Sequence, residues 1–189
     1  MSGQFPITDF TQVTITSNTP TMVTTAISGF RQAKQVAAQF WTVEADLRPL
    51  TVAEAKRVQG FLARQRNSLY DFTIVLPRVG DASGGIAQAK ASFPGVDSTV
   101  TSGAATAGTT SVNIVTNFTQ AQFGSQTVLQ AGDYIKFAGH SKVYQVVFDA
   151  YADLNGDTSI TVFPNLVATV GAGEEVIYNQ VPFTMFNTN

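Results

Sequence analysis

Gln39-Phe40-Trp41-Thr42-Val43-Glu44-Ala45-Asp46-Leu47 alternates between apolar and polar side chains, and this period of two decides the fold class. Trp41, Val43, Ala45 and Leu47 share one face of an extended strand, and Thr42, Glu44 and Asp46 share the other. Such a strand has one covered side and one side that is wet or faces a partner. Immediately downstream the period changes. Thr51-Val52-Ala53-Glu54 has the form of a capping box, with Thr51 as N-cap and Glu54 at the third helical position. Val52, Ala55, Val58, Phe61 and Leu62 then recur at helical spacing and predict an apolar stripe packed on the sheet. Arg57, Arg64 and Gln65 are expected elsewhere on the helix surface. The helix is expected to stop near Asn67-Ser68.

Strand signals flank this core motif. Upstream, Thr11 to Thr16 alternates, Ser17-Asn18-Thr19-Pro20 reads as a turn, and Met22 to Ala26 as the return strand of a hairpin. Downstream, Phe72 to Leu76 is apolar on both faces and is stopped by Pro77. At Arg78 the composition shifts. From Gly80 to Gly108 the chain is rich in Gly, Ala, Ser and Thr, with few large apolar residues besides Ile86, Phe93 and Val96. Loops and short strands are expected there, with Phe93-Pro94-Gly95-Val96 as an anchor. A second set of strands follows at Ser111–Val115, Tyr134–Phe137, Val143–Phe148 and Ile160–Phe163. Gly139-His140-Ser141 and Asn155-Gly156 supply turns, the latter expected as type I′. Val176-Ile177-Tyr178 and Pro182 to Phe186 close the chain. The expectation is a mainly β fold with one helix. A first domain covers 1–77 plus about 176–189, and an inserted small antiparallel β-barrel covers about 78–175.

The 189 residues suffice for one large domain or two small ones and should bury roughly 70% of the unfolded surface. Charged residues are only 13%, against about 25% in an ordinary soluble domain. A surface so poor in charge is easiest to explain if other subunits cover much of it. With a net charge of −2, the whole chain has no electrostatic attraction to nucleic acid. The absence of cysteine excludes disulfides, thiolate catalysis and cysteine-based metal sites. Met1-Ser2-Gly3-Gln4-Phe5-Pro6 lacks the basic and apolar regions of a signal peptide, and no stretch approaches the apolar length of a membrane span. A chain made in the cytoplasm and remaining outside the membrane is expected.

Candidate chemistry is sparse. His140 is the only histidine, so two-imidazole metal sites and His-pair catalysis are impossible, and a hairpin turn accounts for it. Gly80-Asp81-Ala82-Ser83-Gly84-Gly85 superficially resembles the loop around a serine-protease nucleophile. It carries an inserted Ala82, the histidine lies in the wrong chain order, and the ending needed to cradle a phosphate is missing. Asp149, Asp153, Asn155 and Asp157 resemble a calcium loop, but a pattern begun at Asp153 has Thr158 where glycine is required and Pro164 where glutamate is required. Glu174 and Glu175 are expected in a solvated loop instead of forming a catalytic pair. Arg57, Arg64 and Arg66 are expected on a solvated or subunit-bridging face, and Trp41 in the core. The sequence therefore assigns no catalytic, cofactor-binding or metal residue.

Phe40 to Ala55, a Trp-bearing alternating strand, a short link through Pro49 and a Thr-x-x-Glu helix start, resembles the tube-type domain of tailed-phage distal tail and baseplate hub proteins. Leu129 to Phe137, Val143 to Val146 and Ile160 to Leu166 are similar to the small β-barrel insertion of some phage tail proteins. The resemblance implies a structural virion protein in the tail, synthesised in the host cytoplasm, with no enzymatic activity and no cofactor. It implies a cyclic ring of its own copies, a hexamer, at the junction of tail tube and baseplate or tail tip. Its neighbours there would be the tail tube protein and the hub or tail-tip proteins, with DNA passing only transiently through the lumen. Thr42, Glu44 and Asp46 would face that lumen. A receptor- or glycan-binding accessory module of the tail tip is the alternative, favoured by exposed Trp or Tyr on barrel loops. A cell-wall hydrolase would need clustered acids or a metal site.

Overall fold

Gly29, with φ at +82°, sets the first long-range pairing of the chain. Gly29 donates its backbone N–H to Ala26 O at 2.9 Å, and Ala26 donates to Phe30 O at 2.9 Å. This closes a three-residue loop with a left-handed glycine in its last position. β2 (Thr21–Thr25) therefore pairs with β3 (Arg31–Gln35), and β1 (Phe10–Asn18) with β4 (Phe40–Leu47), both antiparallel. The turn expected at Ser17–Pro20 is not the hairpin turn: Ser17 and Asn18 lie in β1, opposite Trp41 and Phe40. That segment has no glycine to supply the positive φ that the tight loop needs.

The computed structural model describes residues 3–66, 68–87, 99–116 and 127–188. Phe93-Pro94-Gly95-Val96, expected as an anchor, lies outside the described residues, as does Asn67. The chain divides into two compact units, Asp9–Thr51 and the remainder, residues 1–8 with 52–189. This division falls elsewhere than the expected boundaries near 78 and 176.

The larger unit is built on six strands in the order β11-β8-β9-β10-β7-β6, every pair antiparallel. These are β6 (Thr99–Thr101), β7 (Ser111–Thr116), β8 (Tyr134–Phe137), β9 (Val143–Val146), β10 (Asp157–Phe163) and β11 (Val176–Ile177). The two ends of the sheet meet: Val100 bridges Glu175, and Thr101 donates to Glu174 O at 3.0 Å. The result is a nearly closed barrel, which leaves few open edges. Alternation fills its interior. Val112 and Ile114 of β7, Ile135 and Phe137 of β8, and Ile160 and Val162 of β10 are all fully or almost fully buried. β11 belongs to this barrel, so the chain leaves it only after Ile177. Residues 85–87 are helical where loops were expected, and Ile86 is fully buried in the barrel core.

β5 (Phe72–Val75) pairs with β12 (Pro182–Met185), as the expected return of the last strand requires. Phe5 N–H to Thr73 O (2.8 Å) and Thr73 N–H to Gly3 O (2.9 Å) add the N-terminal segment on the other edge of β5. This ladder is tied to the barrel. Tyr134 meets Phe183 edge-on at 5.5 Å, and Lys136 Nζ donates to Pro182 O at 3.3 Å.

α1 (Val52–Gln65) begins one residue after Thr51, so Thr51 occupies the N-cap position and Glu54 the third helical position. Its inward line differs from the expected stripe. Phe61 and Gln65 are buried, Ala55 and Val58 half-buried, whereas Val52 and Leu62 are exposed. The helix is rotated so that Phe61 inserts between Phe5 and Phe72, edge-on to each at 5.4 Å. That aromatic trio outweighs the aliphatic positions in setting the rotation, since such pairs are worth about 0.5–1.5 kcal/mol beyond area burial.

Candidate functional site

The unit Asp9–Thr51 is a two-stranded ribbon and little else. In β1 and β4, Val13 faces Ala45, Ile15 faces Val43 and Ser17 faces Trp41 across the pair. These apolar residues are half-buried, while Glu44 and Asp46 on the other face are exposed. The expected alternation is present, but Trp41 lies on this ribbon and not in the buried core. Polar contacts fix the register: Asn18 Nδ2 donates to Thr42 Oγ1 at 2.7 Å, and Gln39 Nε2 to Ser17 Oγ at 3.0 Å. At the base, Arg48 Nε meets Asp9 Oδ2 at 2.8 Å.

Toward the tip every residue from 21 to 38 is exposed. Met22, Val23, Ile27, Phe30 and Val36 stand in solvent, Phe30 at 74% exposure. The only charges from Thr19 to Ala38 are Arg31 and Lys34. The tip is thus apolar and cationic, with both outer strand edges unpaired among the described residues. So many exposed large apolar side chains within one short segment mark the tip as a candidate interaction site.

A second exposed surface lies on the barrel rim, where Phe148, Tyr151 and Leu154 project to solvent beside Asp149, Asp153 and Asp157. Asp153 Oδ1 accepts the N–H groups of Asn155 and Asp157, each at 2.8 Å, and Asp149 Oδ1 accepts Ala131 N–H at 2.9 Å. Backbone donors therefore fix two of the acids suspected of holding calcium, and among the described residues no three acids or histidines converge on a point. The turn itself is not type I′. Only Gly156 has positive φ (+89°), Gly156 donates to Asp153 O at 3.2 Å, and Asp153 donates to Asp157 O at 2.9 Å. This is the loop geometry of the ribbon tip.

The other residues singled out from sequence have structural roles. His140 is buried, with Nδ1 3.0 Å from the Tyr144 hydroxyl and its ring edge-on to Phe137. Tyr144 Oη also accepts Val167 N–H at 3.2 Å. Burial pushes the Tyr144 hydroxyl above its usual range, reinforced by the Glu174 charge and opposed by the Val167 hydrogen bond. Asp133 takes the N–H groups of Ser83, Gly84 and Gln130 on its carboxylate, so the glycine-rich loop is clamped to the barrel and Ser83 has no base beside it among these contacts. A side chain at Gly84 would collide with the Val128 carbonyl, which is why glycine stands there. Glu174 ties two turns together through Gly139 N–H (2.7 Å) and Gly171 N–H (3.0 Å), while Glu175 bridges Val100 in the closing seam of the barrel. They are not a paired acid site. Arg57, Arg64 and Arg66 are exposed, and Arg64 lies over the Phe61 ring at 5.5 Å.

The sequence matches no protein-family model and no curated protein. Among the described residues no helix is long and apolar enough to cross a membrane.

Proposed function

We propose that this chain is a structural subunit of a tailed-phage virion, forming a ring of its own copies at the junction of tail tube and baseplate or tail tip. The observation that carries the proposal is the Asp9–Thr51 ribbon. A lone two-stranded hairpin is marginally stable in water and becomes stable when its apolar face and edges are covered. Strand pairing with neighbouring copies would supply that cover and remove the open edges. A ring of such ribbons continues the DNA channel. Glu44 and Asp46, exposed opposite the half-buried face, would line it and repel passing phosphates. The low charged fraction, 13%, agrees with a surface covered in an assembly. Antibody or gold labelling of this chain on purified tails, followed by electron microscopy, tests the position: the expected label is a band at the end of the tail tube.

One observation favours the alternative, a receptor- or glycan-binding module. Tyr151 is exposed on a barrel loop, as an aromatic platform for a sugar ring would be. Binding of host surface glycans that is lost in Tyr151→Ala would support that reading.

A further inference from the structure

Two surfaces described above have opposite charge and the same apolar character. The ribbon tip presents Met22, Ile27 and Phe30 with Arg31 and Lys34, and from Thr19 to Ala38 there is no acid. The barrel rim presents Phe148, Tyr151 and Leu154 with Asp149, Asp153 and Asp157, and from Val147 to Asp157 there is no base. We infer that the ribbon tip of one copy docks end-on against the Val147–Asp157 rim of a second copy, with Phe30 and Ile27 against Phe148, Tyr151 and Leu154, and with Arg31 and Lys34, which project from opposite faces of β3, flanking that contact toward the three aspartates.

Several physical features support this pairing. Exposed apolar side chains on both surfaces give the contact a hydrophobic centre, and single-sign charges around it set the register and reject a like-charged surface. The rim is pre-organised, since backbone N–H groups already hold Asp149 and Asp153, so little ordering is needed on binding. The tip is held by the left-handed Gly29 loop. The two surfaces are different, so the contact is head-to-tail and each copy offers one tip and one rim. Such contacts close into a ring when the rotation between copies permits. Tip-to-tip pairing would instead place Arg31 and Lys34 of two copies together.

This inference rests on the self-assembling subunit proposed above and names the surface it uses. It is tested on the full chain, mixing ordinary and nitrogen-15-labelled copies, with a photoreactive benzophenone residue in place of Phe30. Cross-links are expected between light and heavy copies, mapping to 147–157. In the unmodified chain, Arg31→Glu with Lys34→Glu should weaken self-association about tenfold or more, and Asp157→Lys added to that pair should restore part of it. Arg31 and Lys34 are exposed, so the thermal midpoint should not move. A chain that stays monomeric at every concentration it tolerates overturns the inference. So do cross-links confined within single copies, self-association indifferent to the charge reversal, or a tip that binds anionic vesicles in place of the rim. Rings in tails whose Phe30 cross-links elsewhere would overturn the docking site and leave the ring standing. Tip-to-rim cross-links in a protein absent from tails would do the reverse.

Discussion

The barrel and the ribbon are built from the same kind of strand and end in opposite situations. Each barrel strand has neighbours on both sides, through the seam at Val100 and Glu175, and its inward residues are shielded from water. In the ribbon each strand has one partner, and among residues 9–51 only Gln39 is buried. Alternation is present in both, in β7 and β10 of the barrel and in β1 and β4 of the ribbon. Stability therefore comes from closure, not from pattern: a strand face becomes a core only when a second layer covers it. In the barrel the chain supplies that layer. In the ribbon nothing within its own unit supplies it, and this is why the ribbon is the element proposed to pair with another copy.

The contrast is sharpest in paired substitutions. Phe137→Ala, inside the barrel, should cost about 3–5 kcal/mol in denaturant unfolding, whereas Phe30→Ser at the ribbon tip should change stability by less than about 0.5 kcal/mol while impairing self-association. A large loss of monomer stability from Phe30→Ser would break the comparison, because it would mean that the tip is already covered within one chain.

Gln65 gives a smaller effect of opposite sign. Its side chain is completely buried near the end of α1, and neither Oε1 nor Nε2 has a partner among the described residues. Gln65→Leu should therefore stabilise the chain by about 1–2 kcal/mol, read as a rise in the thermal midpoint. A lower midpoint would show that the amide is bonded after all.

What the sequence made legible follows the same divide. The faces of Trp41, Val43, Ala45 and Leu47 were readable because a strand imposes a period of two whatever lies behind it. The barrel strands were readable for the same reason. Partner choice was not. Ser17–Pro20 and Ile27–Gly29 both carry turn signals, and only the positive φ at Gly29 selects the second. The inward face of α1 was misassigned because helical periodicity cannot weigh a distant aromatic. Phe5 and Phe72 pull Phe61 inward and bring Gln65 with it, leaving Val52 and Leu62 in water. The candidate interaction surfaces were missed for want of a motif. Their signal was available in the charges, a run from Thr19 to Ala38 with only cations and a run from Val147 to Asp157 with only acids.

The barrel strands and their turns also carry an alkaline signature. Burial raises Tyr134 and Tyr144 above their ordinary value, so the folded chain keeps protons that the unfolded chain loses. Their contribution is intact below the ordinary tyrosine value near 10 and is lost as pH climbs above it. Lys136 and Lys142 work in the other direction. Burial lowers both, so stability rises with pH from their lowered values up to the ordinary lysine value of about 10.5. Tyr144→Phe should flatten the loss above pH 10 in a series of denaturation midpoints, although it also removes the hydroxyl contacts to His140 and Val167. An unchanged slope would remove Tyr144 from the account.

The smallest expected effect is at the base of the ribbon. Arg48→Ala breaks an exposed ion pair with Asp9 and should cost no more than about 0.5 kcal/mol, less at high salt. A loss several times larger would mean that Arg48 braces the ribbon and that it is less independent than its lack of burial suggests.

The central claim is that copies of this chain complete one another's ribbons in a ring. Cryo-electron microscopy of assembled tails tests it most directly, through the symmetry and position of this chain. The account predicts a cyclic ring, sixfold by resemblance, with each Asp9–Thr51 ribbon covered by the next copy and Glu44 and Asp46 toward a central channel. A single copy per tail, or copies on the outside with no sheet contact to one another, would contradict it.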